Sequence, residues 1–131
     1  MKTLHSFTLV LILLVCNLIS AQADTTADLE TLKGSWKLDM SPENKTDNNF
    51  AKMEITDIDG GRINGFFYRD GVKMREGRIN TQTGVVYGAL ISGDNSGEYN
   101  TSFYYKNGVL YGTTHAIDRE FLAVWTATKQ E

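Results

Sequence analysis

Beyond Gly34 the chain sets apolar and polar residues in alternation, in short runs that each stop at a cluster of turn-forming residues. A period of two is the mark of a β-strand with one buried face. The first run, Ser35 to Met40, places Trp36, Leu38 and Met40 opposite Lys37 and Asp39. A polar stretch from Ser41 to Asn49 with the only proline reads as the longest loop. The second strand, Phe50 to Ile58, alternates Ala51, Met53 and Ile55 with Lys52, Glu54 and Thr56. Asp59-Gly60-Gly61 then turns the chain into a third strand, Arg62 to Arg69, and Asp70-Gly71 signals another hairpin.

Val72 to Asn80 is the weakest of the strands, because charges fall on both faces. Thr81 to Gly84 turns into Val85 to Ile91, a strongly β-forming run, and Gly93 to Gly97 turns into Glu98 to Tyr105. Asn107-Gly108 suits a type I′ turn, since both residues tolerate the left-handed backbone. Val109 to Ile117 and Phe121 to Thr128 are the last two strands, joined around Asp118-Arg119. Connections this short permit only antiparallel neighbours. A flat meander would leave two long exposed edges, and closure removes them. The expected fold is all-β: an eight-stranded antiparallel up-and-down meander barrel, preceded by a short helical segment at Thr26 to Lys33. The last two strands carry apolar residues on both faces, so one face can fill the barrel while the other packs against another segment or subunit.

The amino terminus follows a different rule. Lys2 precedes a mostly apolar run from Phe7 to Ile19, and Ala21-Gln22-Ala23 offers small residues at a cleavage site. This three-part pattern predicts a signal peptide at residues 1–23 and one domain at 24–131, secreted or periplasmic. The apolar run is short for a membrane span, which takes about 20 residues. Cys16 is the only cysteine and lies inside this leader; bulky Val15 before it argues against a lipoprotein cut there. The processed chain would have no disulfide and no thiolate metal site. The whole chain has a formal net charge of −3, and losing Lys2 makes it more acidic. Such a chain has no electrostatic footprint for nucleic acid or anionic lipid.

Gly34-Ser35-Trp36, set on the first strand just after a helical segment, resembles the start of a lipocalin. The resemblance implies that Trp36 sits at the closed end of the barrel, near a basic residue beyond the last strand. Lys129 would fill that part, over the indole as a cation–π contact, with Gly34 completing the motif. The loop Ser41 to Asn49 falls where lipocalins carry a lid. The compact size is nearer to the avidins, which are similar eight-stranded barrels. Avidins follow their Gly-x-Trp with small polar residues, whereas Lys37, Leu38 and Asp39 stand here, so no biotin-binding residue carries over. The stretch from Gly112 to Phe121 also resembles the end of uncharacterised secreted bacterial proteins.

The chemistry-bearing residues are few. His115 is the only histidine outside the leader; it reads as a pocket group, an acid–base residue or an axial haem ligand, against a structural role. It has no partner at metal or triad spacing. Asp57, Asp59, Asp94, Asn95 and Glu98 lack the spacing of a calcium loop and suit turns. Tyr99, Phe103, Tyr104 and Tyr105 form an aromatic cluster on two faces, suited to sheet packing or to gripping an apolar or sugar ligand. Asn44-Lys45-Thr46 and Asn100-Thr101-Ser102 fit the glycosylation sequon, which matters only in a eukaryotic secretory pathway. The expected function is non-catalytic binding of a small, mostly apolar ligand, with no cofactor and no metal. The expected pocket residues are Phe67, Tyr87, Phe103, Tyr111, His115 and Trp125. Two alternatives stand beside it: a structural or envelope-interaction module with a filled core, and a barrel enzyme using His115. Monomer and dimer are both open, and a one-residue slip would exchange the inner and outer faces of any strand.

Overall fold

A computed structural model describes residues 29–131. Eight strands run in chain order: β1 (Gly34–Asp39), β2 (Phe50–Asp59), β3 (Arg62–Tyr68), β4 (Glu76–Asn80), β5 (Val86–Asp94), β6 (Gly97–Lys106), β7 (Val109–Ala116) and β8 (Phe121–Lys129). Each pairs antiparallel with the next, and β8 returns to β1, so the sheet closes into an up-and-down barrel. Closure satisfies both edges of the meander. The Asn107-Gly108 turn has φ of 51° and 81°, the left-handed pair that its sequence anticipates. The predicted helical segment is seen as one turn at residues 29–31; its earlier part, like the leader and its Cys16, lies outside the described residues.

Two strand boundaries move by more than one residue from the sequence expectation. β4 begins at Glu76 rather than Val72, because Val72 to Arg75 is held by scattered bonds: Phe67 N–H to Val72 O, Val72 N–H to Arg69 O, Met74 N–H to Gly65 O, Arg75 N–H to Ile91 O, and a bridge between Phe66 and Lys73. The β3–β4 seam is correspondingly thin, with Arg62 opposite Arg78 its one registered pair. At the other hairpin, β5 runs on to Asp94 and pairs to Gly97. Between β7 and β8 the chain makes a 3₁₀ turn, Ile117–Arg119.

The barrel interior is packed. Trp36, Leu38, Met53, Ile55, Ile63, Phe67 and Leu110 are fully buried, and Phe103, Trp125 and Leu90 nearly so. One inner row explains how so many rings fit. Gly88, Phe103, Gly112 and Trp125 stand side by side across β5, β6, β7 and β8. A Cβ on Gly88 would drive into the Phe103 ring, and one on Gly112 into the Trp125 indole. Each ring therefore lies over its glycine neighbour, alternating large with small as a tapering barrel interior requires. Phe67 reaches across from β3, its ring centroid 5.8 Å from that of Trp125, which in turn lies 6.5 Å from Phe103.

Trp36 plugs one end. Its indole N–H donates to Leu32 O at 2.8 Å, and its ring meets Tyr105 edge-on. Lys129 pairs in register with Trp36, but its ammonium donates to the carbonyl of Thr31 instead of lying over the indole. The anticipated cation–π contact is thus replaced by a charge-assisted hydrogen bond that ties the last strand to the helical turn. Gly34 leaves the room: a Cβ there would come within 3.2 Å of the Lys129 stem.

Candidate functional site

Three regions of this barrel bear on where another molecule could sit, and they differ in size and chemistry. The first is the interior itself. Beyond the packed rings it holds a polar chain in which the Trp125 indole N–H donates to Thr114 Oγ1 at 3.0 Å, and Thr114 and Thr101 hydroxyls share a bond of 3.0 Å. A buried hydroxyl pair and an indole N–H satisfied by one another need no ligand. Ser92 Oγ is the one buried side-chain polar atom without a protein partner among the described residues.

The second place is the mouth opposite Trp36. Inward-facing Phe67, Tyr99, Thr114, Ala116 and Ala123 and the rim residues Met40, Tyr68, Arg119 and Phe121 enclose about 60 Å³. A water occupies about 30 Å³ and small-molecule sites run to about 300–1,000 Å³, so the mouth admits only the tip of a ligand. Its rim is rigidly tied. Asp94 Oδ1 accepts from the Ser96 hydroxyl at 2.6 Å, the Ser96 N–H at 2.8 Å and the Tyr99 hydroxyl at 2.9 Å, while Oδ2 takes the Arg69 guanidinium. The Ser96 hydroxyl is the main cause that holds the Asp94 carboxyl down to about 2, against the opposing pull of burial. Burial pushes the Tyr99 phenol up, so it stays protonated as a donor. These groups fix a turn, as the sequence of the turn suggests.

The third place is the outer wall of β5 to β8. Its central outward positions form three rows across the strands. Tyr87, Tyr104, Tyr111 and Thr126 make one row; Ala89, Ser102, Thr113 and Val124 the next; Ile91, Asn100, His115 and Leu122 the third. None of these residues is acidic or basic apart from His115. The outward positions of β1 to β4 hold Lys37, Asp39, Lys52, Glu54, Arg62, Glu76 and Arg78 instead. The central rows of β5 to β8 are thus neutral, with Glu98 and Lys106 as charged outward positions at the two ends of β6, whereas the outer face of β1 to β4 is charged along its length. Tyr104 and Tyr111 stack within 12° of parallel, centroids 5.1 Å apart, and Tyr87 continues the row 6.1 Å from Tyr104. Tyr87 is 50% exposed and Val124 57%.

A groove of about 430 Å³ runs beside this row, bounded by Tyr87, Tyr104, Tyr111, Val124, Thr126 and Pro42. Phe103, Gly112 and Trp125 also border it, and because both rings are buried within the barrel they do so through their main chain. A hollow of about 590 Å³ lies on the other side of Tyr87 and Tyr104, between the turns at Gly84 and Asn107. Another of about 240 Å³ follows past Ser102 toward Arg78.

The expected pocket residues divide between the two faces. Phe67, Phe103 and Trp125 point inward and pack together as core. Tyr87, Tyr111 and His115 point outward, which corrects the expectation that they share an interior with the others. The parity of the strands decides this: Leu110, Gly112, Thr114 and Ala116 take the inner face of β7, leaving Tyr111 and His115 outside. His115 is exposed, pairs across the sheet with Asn100 and Leu122, and makes no side-chain hydrogen bond with the described residues. The groove takes Tyr104 from the aromatic cluster and adds residues that the sequence reading did not select, chiefly Thr113 and Val124. Their signal was register: three tyrosines align only when the hairpins are folded at Gly93–Gly97 and Asn107-Gly108.

Among the described residues no cluster of His, Cys, Asp or Glu could hold a metal ion, and no helix is long and apolar enough to cross a membrane. No protein-family model, curated protein or solved structure matches the chain. What is shown is an eight-stranded antiparallel up-and-down barrel with a buried aromatic cluster, consistent with a lipocalin-like fold.

Proposed function

We propose that the protein is a non-catalytic binding barrel, working outside the cytoplasm after loss of residues 1–23, and that it binds a small uncharged ligand with an apolar face on its outer wall. The observation that carries this reading is the contrast in room: about 430 Å³ beside the tyrosine row against about 60 Å³ within the barrel mouth. Only the former falls in the range of small-molecule sites. The aromatic lining supplies contact area at low entropic cost, since a tyrosine has two side-chain torsions to fix. The absence of charge disfavours an ionic ligand, which would lose its water without gaining a partner. Export is supported by the leader pattern alone, and binding without chemistry by the exposed, unpartnered state of His115.

Calorimetric titration with indole tests it. Tyr104→Ala should weaken binding about tenfold, because aromatic contact is lost, while Phe121→Ala at the mouth should leave it unchanged. The mouth carries a second reading, favoured by its apolar, inward-facing lining: a ligand tip held between Tyr68, Tyr99 and Phe121. Under that reading the two variants exchange their effects.

A further inference from the structure

We infer that the ligand of the outer wall is a neutral saccharide chain. This rests on the wall being the binding surface, and three observations select the chemistry. The first is what stands between the rings. Ser102, Thr113 and Thr126 present hydroxyls within the groove, beside the three phenols, and none of these side chains is hydrogen-bonded to the described residues. A purely apolar ligand would strip water from several of them and return nothing, at about 1–3 kcal/mol for each group left unpaired. A ligand rich in its own hydroxyls replaces the water bond for bond.

The second observation is charge. The lining of the central groove holds no formal charge, while Lys106 lines the hollow on one side and Glu76 and Arg78 line the hollow on the other. A neutral chain suits the central groove, whereas an acidic one finds no cation there. The third is shape. Hollows of about 590, 430 and 240 Å³ follow one another, joined through Tyr87, Tyr104 and Ser102. From Tyr87 to Thr126 the row crosses three strand spacings, about 14 Å. That suits an extended ligand with repeated units, not one compact ring. Sugar rings carry C–H groups on one face and hydroxyls on their rim, which matches aromatic side chains interleaved with hydroxyls.

The test is a titration of the folded protein with a set of neutral oligosaccharides, including cellohexaose, maltohexaose, mannohexaose and chitohexaose, followed through the tyrosine ring signals by NMR. At least one should bind with a micromolar to millimolar dissociation constant and shift Tyr87, Tyr104 and Tyr111. Tyr104→Ala and Tyr111→Ala should each weaken it at least tenfold, and so should Thr113→Arg, which fills the groove while keeping every ring. Hexagalacturonate, carboxylated on each unit, should not bind. If indole binds at the tyrosines and no saccharide does, the saccharide inference is overturned and the outer-wall reading stands. If neither binds there, both fall. If sedimentation instead shows a dimer that Thr113→Arg dissociates, the wall is covered by a second copy and the inference is likewise overturned.

Discussion

Replacing Trp125 by alanine tests whether the barrel is full or hollow. Trp125 is 2% exposed, rests over Gly112, touches Phe67 and Phe103, and donates its indole N–H to Thr114. A tryptophan buries about 150–250 Å². At about 25 cal/mol per Å² that is about 4–6 kcal/mol as an upper figure, in line with the 3–5 kcal/mol typical of Trp→Ala in a core. The loss is a large share of a domain stability of roughly 5–15 kcal/mol. Tm should fall by roughly 12–40 °C, at about 4–8 °C per kcal/mol for a domain near this size. Urea melts at neutral pH would give the free energy directly, with the midpoint moving and the slope unchanged. Trp125→Phe keeps a ring and loses the donor, so it should cost less, with about 0.5–1.5 kcal/mol of it from the hydrogen bond. The alanine variant should also become a container: benzene should raise its Tm by filling the space, and should leave the wild-type Tm nearly unchanged. A cost below about 1 kcal/mol for Trp125→Ala would mean that the ring lines a solvent-filled pocket, and would refute the packed-core account.

Gly112→Ala should destabilise by at least about 1–3 kcal/mol in the same melts, since its Cβ has no space beside the Trp125 indole; a neutral result would place that ring elsewhere. Trp36→Ala should cost about 3–5 kcal/mol, and Trp36→Phe less, because only the alanine variant unplugs the closed end. Asp94 has its carboxyl lowered to about 2 against an ordinary 3.8, so its contribution to stability is present above pH 3.8 and lost as pH falls toward 2. Asp94→Asn should therefore lower stability at neutral pH and flatten its decline between about pH 4 and 2 in acid melts; an unchanged acid limb would remove Asp94 from the account. Mass spectrometry of protein from the native host should find a chain beginning at Asp24, and an intact Met1 or a lipid on Cys16 would contradict export by this route.

The strand count, the order and the hairpins were legible in the sequence because alternation and turn chemistry are local. Asn107-Gly108 announced its turn by residue type alone, and the resemblance of Gly34-Ser35-Trp36 to a lipocalin start implied the place of Trp36 at the closed end. The inner face was harder to read. In β7 both faces carry residues able to be buried, and the choice falls to the inner row, where Gly112 must lie under Trp125. That requirement belongs to a neighbour on β8, not to β7 itself. The same holds for the site. Tyr87, Tyr104 and Tyr111 are separated along the chain and become one surface only through the register of two hairpins. The neutral character of the wall's central rows emerges only when charged positions are sorted by face, and Val72 to Asn80, read as the weakest strand because charges fall on both its faces, keeps regular pairing only from Glu76 on.

The most direct measurement of the central claim is a map of where an uncharged aromatic probe lands. Indole titrated into isotope-labelled protein, with aromatic and methyl signals assigned, distinguishes the two walls of one sheet. The account predicts shifts at Tyr87, Tyr104, Tyr111 and Val124, with Phe67, Tyr99, Ala116 and Ala123 unmoved. Shifts confined to the latter four would show that the barrel receives its ligand inside, and would contradict it.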